Sequence, residues 1–264
     1  MHEPGDAAVV VEGGSSGEGS HEPSKEAPRE FVEDIVVVHE GGGVVHFLLI
    51  TYVPGDSGNA AGYVFRRPVG SDEPAENILA TNDTLRELWC SPQGHVWATS
   101  STGLVWTSAP VPWTDTMAPD LEFDTPEGGV TWRHTALPAQ AHNDGRPNPS
   151  SVWGTSDDDG DVYVTGRSRG GRILRGSARR GFTVAVRDRV AALGVALVEG
   201  RLFCAAGKGG VVEPTAHGPK TLRDDIAAWS VAEGEGRVYV TQTPGEAAYC
   251  ELDLATGQWH RRYY

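Results

Sequence analysis

The sequence is poor in cysteine, in basic residues and in long apolar runs, and each shortage disfavours a class of protein. Its three cysteines among 264 residues lie in apolar runs, so we expect buried, reduced thiols in a cytoplasmic protein rather than a disulfide framework. Lys and Arg number 22 against 36 Asp and Glu, and a net charge of -14 disfavours nucleic-acid binding, which needs a basic surface. No stretch approaches the ~18 apolar residues of a membrane span.

The N-terminal part of the chain carries much of this negative charge. Up to Asp34 there are nine acidic residues against Lys25 and Arg29, a net charge of -7. The longest apolar run there, Ala7 to Val11, is shorter than the roughly seven to fifteen residues of a signal-peptide core. We therefore predict a disordered acidic tail over residues 1–29 and one folded domain over residues 30–264.

A recurring pattern of glycine, short apolar strand and later glycine organises the folded part. It is clearest in Ser150–Phe182, where Gly160-Asp161-Val162-Tyr163 is followed by a turn glycine at Gly170. The same pattern begins at the glycines of four other segments. They are Gly42-Gly43-Val44, Gly94-His95-Val96-Trp97, Gly200-Arg201-Leu202-Phe203 and Gly236-Arg237-Val238-Tyr239. Repetition of one supersecondary unit indicates a repeat architecture.

Strand-sized apolar runs separated by turn residues fill each repeat, and helical periodicity is essentially absent. This pattern predicts an all-β fold, a β-propeller of five four-stranded blades, with six blades as the alternative. A sixth blade could lie only in the long gap between blades two and three. The tryptophans at Trp89, Trp153 and Trp229 fall in early strands, and we expect them to pack between blades. The predicted blades span residues 31–81, 85–137, 150–187, 193–221 and 227–263.

The segment from Ser156 to Tyr163 resembles the Asp-box, or BNR-type, repeat of bacterial β-propeller proteins. Ser156, Asp158, Gly160, Val162 and Tyr163 fall at the spacing Ser-x-Asp-x-Gly-x-Thr-Trp, with Val for Thr and Tyr for Trp. The resemblance covers one repeat well and the others loosely. It implies a structural turn in which the Asp accepts backbone N–H bonds. Such boxes lie between the third and fourth strands of a blade, whereas our strands place this one between the first and second.

The resemblance extends to sialidases, so glycoside hydrolysis is one alternative function. That chemistry needs an arginine cluster, a Tyr nucleophile with a Glu partner and a further acid. No such set matches residue by residue, and we predict a non-enzymatic protein. The acidic turn Asp157 to Asp161 is closer to a solvated loop than to a calcium site because it lacks the later Glu of such a loop. We expect neither a metal nor a cofactor.

A cluster of arginines is the strongest chemical asymmetry of the chain. Eight of the 22 basic residues lie between Gly166 and Arg189, and arginine is suited to planar recognition of carboxylates. We predict a surface that binds another protein, one with an acidic surface, in a scaffolding or inhibitory role. A carbohydrate-binding, lectin-like propeller is the other alternative, and we expect a monomer on its own. The predicted partner-binding residues are Arg167, Arg169, Arg172, Arg175, His142, Asn143 and Asp144.

Overall fold

A computed structural model gives the architecture of most of the chain. It describes residues 31–40, 43–53, 61–72, 74–111, 123–124, 130–137, 149–155, 162–166, 172–177, 179–186, 192–215, 217–242 and 248–263. Within these residues the chain forms 21 β-strands and no helix. The predicted tail, residues 1–29, lies outside the described part.

Twenty strands form five antiparallel sheets, each with four strands side by side in chain order. Blade 1 contains β1 (Phe31–Glu40), β2 (Gly43–Val53), β3 (Ala61–Pro68) and β4 (Glu76–Thr81). Blade 2 contains β5 (Leu85–Cys90), β6 (Val96–Ser100), β7 (Leu104–Thr107) and, after the two-residue β8 (Phe123–Asp124), β9 (Arg133–Ala136). Blade 3 contains β10 (Pro149–Gly154), β11 (Val162–Gly166), β12 (Leu174–Ser177) and β13 (Gly181–Val184).

The last two blades are built in the same way. Blade 4 contains β14 (Gly194–Val198), β15 (Arg201–Ala205), β16 (Val211–Thr215) and β17 (Gly218–Arg223). Blade 5 contains β18 (Ala228–Gly234), β19 (Arg237–Gln242), β20 (Ala248–Asp253) and β21 (Gln258–Tyr263). Each blade packs on the next mainly through its first strand, so the first strands lie innermost. The fold is a β-propeller of five four-stranded blades, as the sequence predicts.

The long segment between β7 and β9 of blade 2 holds no further sheet among its described residues. Its strand β8 pairs with β4, at Ala80↔Asp124 and Thr81↔Phe123, and so lengthens the outer edge of blade 1. The described chain therefore supports five blades rather than the alternative of six. In blade 3, β10 and β11 flank the Asp-box-like segment, which confirms that it joins the first and second strands. Its residues Ser156 to Gly160 themselves lie outside the described residues.

The repeat glycines shape the turns between first and second strands. In blade 4, Glu199 (φ 50°) and Gly200 (φ 75°) join the paired residues Val198 and Arg201. In blade 5, Glu235 (φ 52°) and Gly236 (φ 71°) join the paired residues Gly234 and Arg237. A two-residue loop with both φ values positive is the type I′ turn, whose twist matches that of the flanking strands. The turn chemistry thus fixes the hairpin register of both blades.

The junctions between later blades share one packing arrangement. An aromatic residue, three positions after the repeat glycine of one blade, is buried in the same apolar cluster as an aliphatic residue on the first strand of the next blade. The pairs are Trp97 and Val152, Tyr163 and Val195, and Phe203 and Val231. Alternate residues of a strand point to opposite faces, so each sheet presents one apolar face to each neighbour. Burial of both faces stabilises short strands that could not stand alone.

Blade 1 and blade 2 are joined by polar contacts as well as by apolar packing. The Asp34 carboxylate on β1 accepts hydrogen bonds from the backbone N–H of Leu88 (2.8 Å) and of Ile35 (2.9 Å). Burial raises the pKa of Asp34 above its usual value, although both hydrogen bonds oppose the shift. On the outer side, the buried Trp132 donates its indole N–H to the carbonyl of Ile78 at 2.8 Å. The outer strands of the two blades are therefore held together too.

Two of the three tryptophans expected between blades are there. Trp89 on β5 and Trp153 on β10 have ring centroids 6.4 Å apart, and Trp89 lies equally close to Trp97. The expectation is wrong for Trp229, which is 39% exposed at the start of β18. Trp89 and Trp153 are the fifth residues of their strands, whereas Trp229 is the second of its strand. Its position is therefore not equivalent to theirs.

Two glycines with the same backbone angle separate the effect of conformation from that of space. Gly210 (φ 74°) has no room for a Cβ, which would overlap the carbonyl oxygen of Arg223, whereas Gly200 (φ 75°) has open space around it. We expect Gly200→Ala to lower the free energy of unfolding by about 1–2 kcal/mol through the left-handed backbone alone. Gly210→Ala should cost at least about 3 kcal/mol because the clash adds to this. Urea unfolding of both variants measures the difference, and equal losses would contradict it.

Candidate functional site

Four of the five innermost strands carry a β-bulge at the same place. The register skips one residue near the start of β1, β5, β10 and β18, opposite the end of the neighbouring second strand. The bulged residues are Glu33, Arg86, Ser150 and Trp229. Bulges bend a strand and redirect side chains, and they are frequent beside functional sites. We call these four positions the inner-strand bulges.

The bulges lie on the face where two kinds of connection meet. There the loop between the second and third strands of a blade is next to the link that enters the following blade. In blade 4, Gly207 in that loop forms two backbone hydrogen bonds, of 2.9 and 3.0 Å, with Ala228 at the start of β18. This bridge sets Lys208, an exposed residue, beside the segment that begins with Trp229. We call this side of the propeller the loop face.

The polar side chains at the bulges and next to them connect neighbouring blades. Arg86 forms an ion pair with Glu33 at 3.4 Å, between Nη1 and Oε1, across the junction of blades 1 and 2. The hydroxyl of Ser151 donates to Glu87 at 2.8 Å across the next junction. An exposed ion pair of this kind contributes at most about 1 kcal/mol to stability. The ion pair between Arg86 and Glu33 therefore contributes little to the stability of the fold.

Asp83 is a buried carboxylate on the same face. It lies in the link from β4 to β5, and its Oδ2 accepts the hydroxyl hydrogen bond of Thr102 at 2.7 Å, from the turn between β6 and β7. The hydroxyls of Thr102 and Ser100 lie 3.1 Å apart. Burial raises the pKa of Asp83, and the hydrogen bonds from Ser100 and Thr102 offset only part of the rise. These contacts give Asp83 a structural role in ordering the loop face.

The sequence-predicted partner-binding residues fall in two groups. His142, Asn143, Asp144, Arg167 and Arg169 lie outside the described residues. Arg172 and Arg175 are described and belong to the third-strand region of blade 3. Arg172 comes just before β12, at the end where the loop face lies, and its Nε is buried with no hydrogen-bond partner among the described residues.

Arg175 has a different environment. It pairs with Tyr163 in the middle of the sheet, with its guanidinium carbon 6.0 Å from the centre of that ring. Tyr163 belongs to the cluster that faces blade 4. The next arginines, Arg179 and Arg180, are exposed in the turn after β12, at the opposite end of that strand. Of the described arginines in the Gly166–Arg189 stretch, only Arg172 therefore lies near the loop face.

Other chemistry on the described residues is limited. Among them, no three His, Cys, Asp or Glu side chains come together as metal ligands would. The three cysteines, all among the described residues, form no disulfide, and burial raises the pKa of Cys204 to about 12, so that thiol stays protonated at neutral pH. In the part of the chain that the structure describes, no helix is long and apolar enough to cross a membrane.

Trp229 and Lys208 are the candidate residues that sequence reasoning missed. In β5 and in β18 alike, the second residue of the strand is bulky or charged, and both of these residues are bulged. A bulge depends on the register between two strands, however, so the sequence of one strand does not reveal it. Glycine in the loop Gly207-Lys208-Gly209-Gly210 was a second clue, since close backbone approach requires it.

Neither a family model nor a curated protein sequence matches this chain. PorZ, described as an essential bacterial surface component of the type-IX secretion system of Porphyromonas gingivalis, superposes with a TM-score of 0.50 at 11% identity; 88% of this chain is covered and 33% of PorZ. The computationally designed Ika8 protein gives 0.49 at 10% identity, covering 88% and 74%. YCF48 from Cyanidioschyzon merolae gives 0.44 at 13%, covering 89% and 85%. At such identities the likeness to PorZ shows the propeller fold alone.

The raised pKa of Asp83 predicts a defined pH dependence. Because the folded state binds this proton more tightly than the unfolded chain does, the associated stability is complete below the ordinary value of 3.8 and is lost as the pH rises through the folded pKa. Asp83→Asn keeps an acceptor for Thr102 but cannot ionise. We expect the free energy of unfolding of the wild type, relative to that of the variant, to fall as the pH rises from 3.8. Urea unfolding across that range measures it.

The remaining carboxylates titrate equally in both proteins and cancel in this comparison. Parallel stability curves for the wild type and Asp83→Asn would show that Asp83 keeps its ordinary pKa in the fold.

Proposed function

We propose that this chain is a non-enzymatic, protein-binding β-propeller that scaffolds or inhibits its partner. The observation that carries the proposal is the exposed indole of Trp229 at an inner-strand bulge, next to the loop that holds Lys208. Bulges redirect side chains beside functional sites, and tryptophan, with its apolar ring and one polar N–H, is enriched at protein interfaces. Trp and Arg dominate the binding energy of protein interfaces. The cytoplasmic location remains part of the proposal and rests on the sequence.

The partner's chemistry follows from the cations of the same region. Lys208 in blade 4 and Arg86 in blade 2 belong to the loop face, and Arg172 in blade 3 lies near it. The proposed surface extends to Arg167, Arg169 and His142 to Asp144, in the loops that the sequence assigns to this face. Guanidinium groups bind carboxylates in a planar, bidentate manner. A protein with an acidic surface around a cleft that accepts an indole therefore fits best.

The roles of the shifted acids support a non-enzymatic reading. The carboxylate of Asp34 accepts a hydrogen bond that connects blade 1 to blade 2. The carboxylate of Asp83 accepts one that orders the link from β4 to β5. Glu213 has a lowered pKa because Arg201 hydrogen-bonds it, at 2.8 Å, along the surface of blade 4. A general acid or base needs a shifted pKa in a cleft open to substrate. The shifted acids named here are instead engaged within the sheets and their links.

Affinity capture of partners from the source organism, followed by mass spectrometry, identifies the partner. With that partner in hand, we expect Trp229→Ala to weaken binding at least about tenfold, the loss of about 1.4 kcal/mol or more that a buried interface tryptophan provides. The control is Val69→Ala, which removes another exposed apolar side chain, in the turn between β3 and β4. That turn lies at the end of blade 1 opposite the loop face. Titration calorimetry should show unchanged affinity for the control.

Charge reversal tests the basic part of the surface separately. Arg167→Glu and Arg169→Glu should each weaken the same complex, and more so at low salt, where charge attraction is least screened. Equal losses in Trp229→Ala and Val69→Ala would remove the tryptophan from the interface. If capture retains no protein while a glycan array gives strong binding, the lectin alternative replaces the protein-binding one. Hydrolysis of a sialoside would point to the glycosidase instead.

A further inference from the structure

On the first strand of blade 1, the residue that corresponds to the blade-contacting residue of the other blades is exposed. Among the described residues, no blade covers it. In blades 2, 3 and 5 the residue two positions after the inner-strand bulge is aliphatic, faces the preceding blade and is at most 6% exposed. These residues are Leu88, Val152 and Val231. Ile35 holds the same position in β1, two residues after Glu33, and is 54% exposed. Val37, two residues further along that strand, is 41% exposed.

The last blade carries the complementary residue. Trp97, Tyr163 and Phe203 stand three residues after their repeat glycines and are buried against the next blade. Tyr239 stands three residues after Gly236 and completes the series. Its neighbours Val238 and Val240 pack on blade 4, so Tyr239 lies on the opposite, outward face of blade 5 and is only partly buried.

On the outward face of blade 1 and on that of blade 5, further apolar side chains lie beside these single residues. On blade 1 the strand register aligns Ile35, through Leu49, with Phe65, whose ring stacks on that of Tyr63 with centroids 6.0 Å apart. On blade 5 the ring of Tyr239 lies 6.1 Å from that of Tyr249. The two ends thus present the aliphatic half and the aromatic half of the junction that the chain uses between its own blades.

We propose that a second copy of this chain supplies the missing halves, so that blade 5 of one molecule packs on blade 1 of the other through Tyr239 and Ile35. Two such contacts related by a two-fold axis close a head-to-tail dimer. The occupant is a second copy because the contact continues an interface already made between blades 2 and 3, 3 and 4, and 4 and 5. This proposal is independent of the partner at the loop face, and it replaces the sequence-based expectation of a monomer.

Closure of the chain on itself is the competing arrangement. Such closure would cover Ile35 with blade 5 of the same molecule, as Val231 is covered by blade 4. The exposure of Ile35 and Val37 shows that the arc of five blades does not cover them. In addition, each sheet takes its four main strands from one continuous stretch, so no strand exchange ties the last blade to the first.

Sedimentation velocity of the full chain over a range of concentrations tests the dimer. The wild type should sediment at twice the monomer mass of 28.1 kDa. Ile35→Lys should be a folded monomer, since the side chain is already exposed within one molecule. The matched control Val69→Lys places the same charge at another exposed aliphatic residue, 44% exposed and outside the first strand, and should remain a dimer.

A mixing experiment establishes the head-to-tail geometry. Tyr239→Asp alone should also be monomeric, whereas a mixture with Ile35→Lys should form a heterodimer with one native contact and one Lys–Asp contact. A contact between two blade 1 faces would leave Tyr239→Asp dimeric and would overturn the proposal. A wild type that stays monomeric at every concentration would overturn it as well, and so would a dimer that persists in Ile35→Lys. Far-UV circular dichroism checks that each variant is folded.

Discussion

The packing of one blade's aromatic residue against the next blade's first strand is the interaction on which this structure depends. A four-stranded sheet of four- to seven-residue strands, as in blades 2 to 5, has two apolar faces, and neither is buried by the sheet itself. Trp97, Tyr163 and Phe203 fill the space between consecutive sheets and are almost fully buried there. Because each of these three junctions needs both partners, the two end faces are the weakest part of the array. The exposed Ile35 and the partly buried Tyr239 are the visible result.

Much of the fold follows from the sequence because its turn chemistry is local. Glu-Gly turns with positive φ specify hairpins from two residues, and the glycine at each repeat marks where the second strand begins. The strands of blades 4 and 5 therefore lie close to their predicted positions. The pairing of β8 with β4 is not local, since about forty residues separate them, and no short pattern predicts such a contact. For that reason the sequence alone is compatible with a sixth blade in the long gap.

The candidate site was harder to predict for the same physical reason. Residues close in sequence are spread along a hairpin, so Arg172 and Arg179 occupy opposite ends of β12 although both belong to one arginine-rich stretch. By strand order Trp229 is equivalent to Trp89 and Trp153, but it is the second residue of its strand, at the bulge, whereas they are the fifth residues of theirs. Side-chain direction in a strand alternates at every residue, so a difference of three positions exchanges the core for the solvent.

Contiguity within each blade has a consequence for how such a chain can change over generations. Since each sheet takes its four main strands from one uninterrupted stretch, duplication or loss of a whole repeat leaves the main hydrogen-bond ladder of each remaining sheet intact. The new terminal blade would meet its neighbour through the same aromatic and aliphatic pair. Arrays that exchange a strand between their first and last blades lack this freedom, because a changed number of blades breaks the shared sheet. Blade number in this architecture is thus free to drift, while the spacing within each repeat is not.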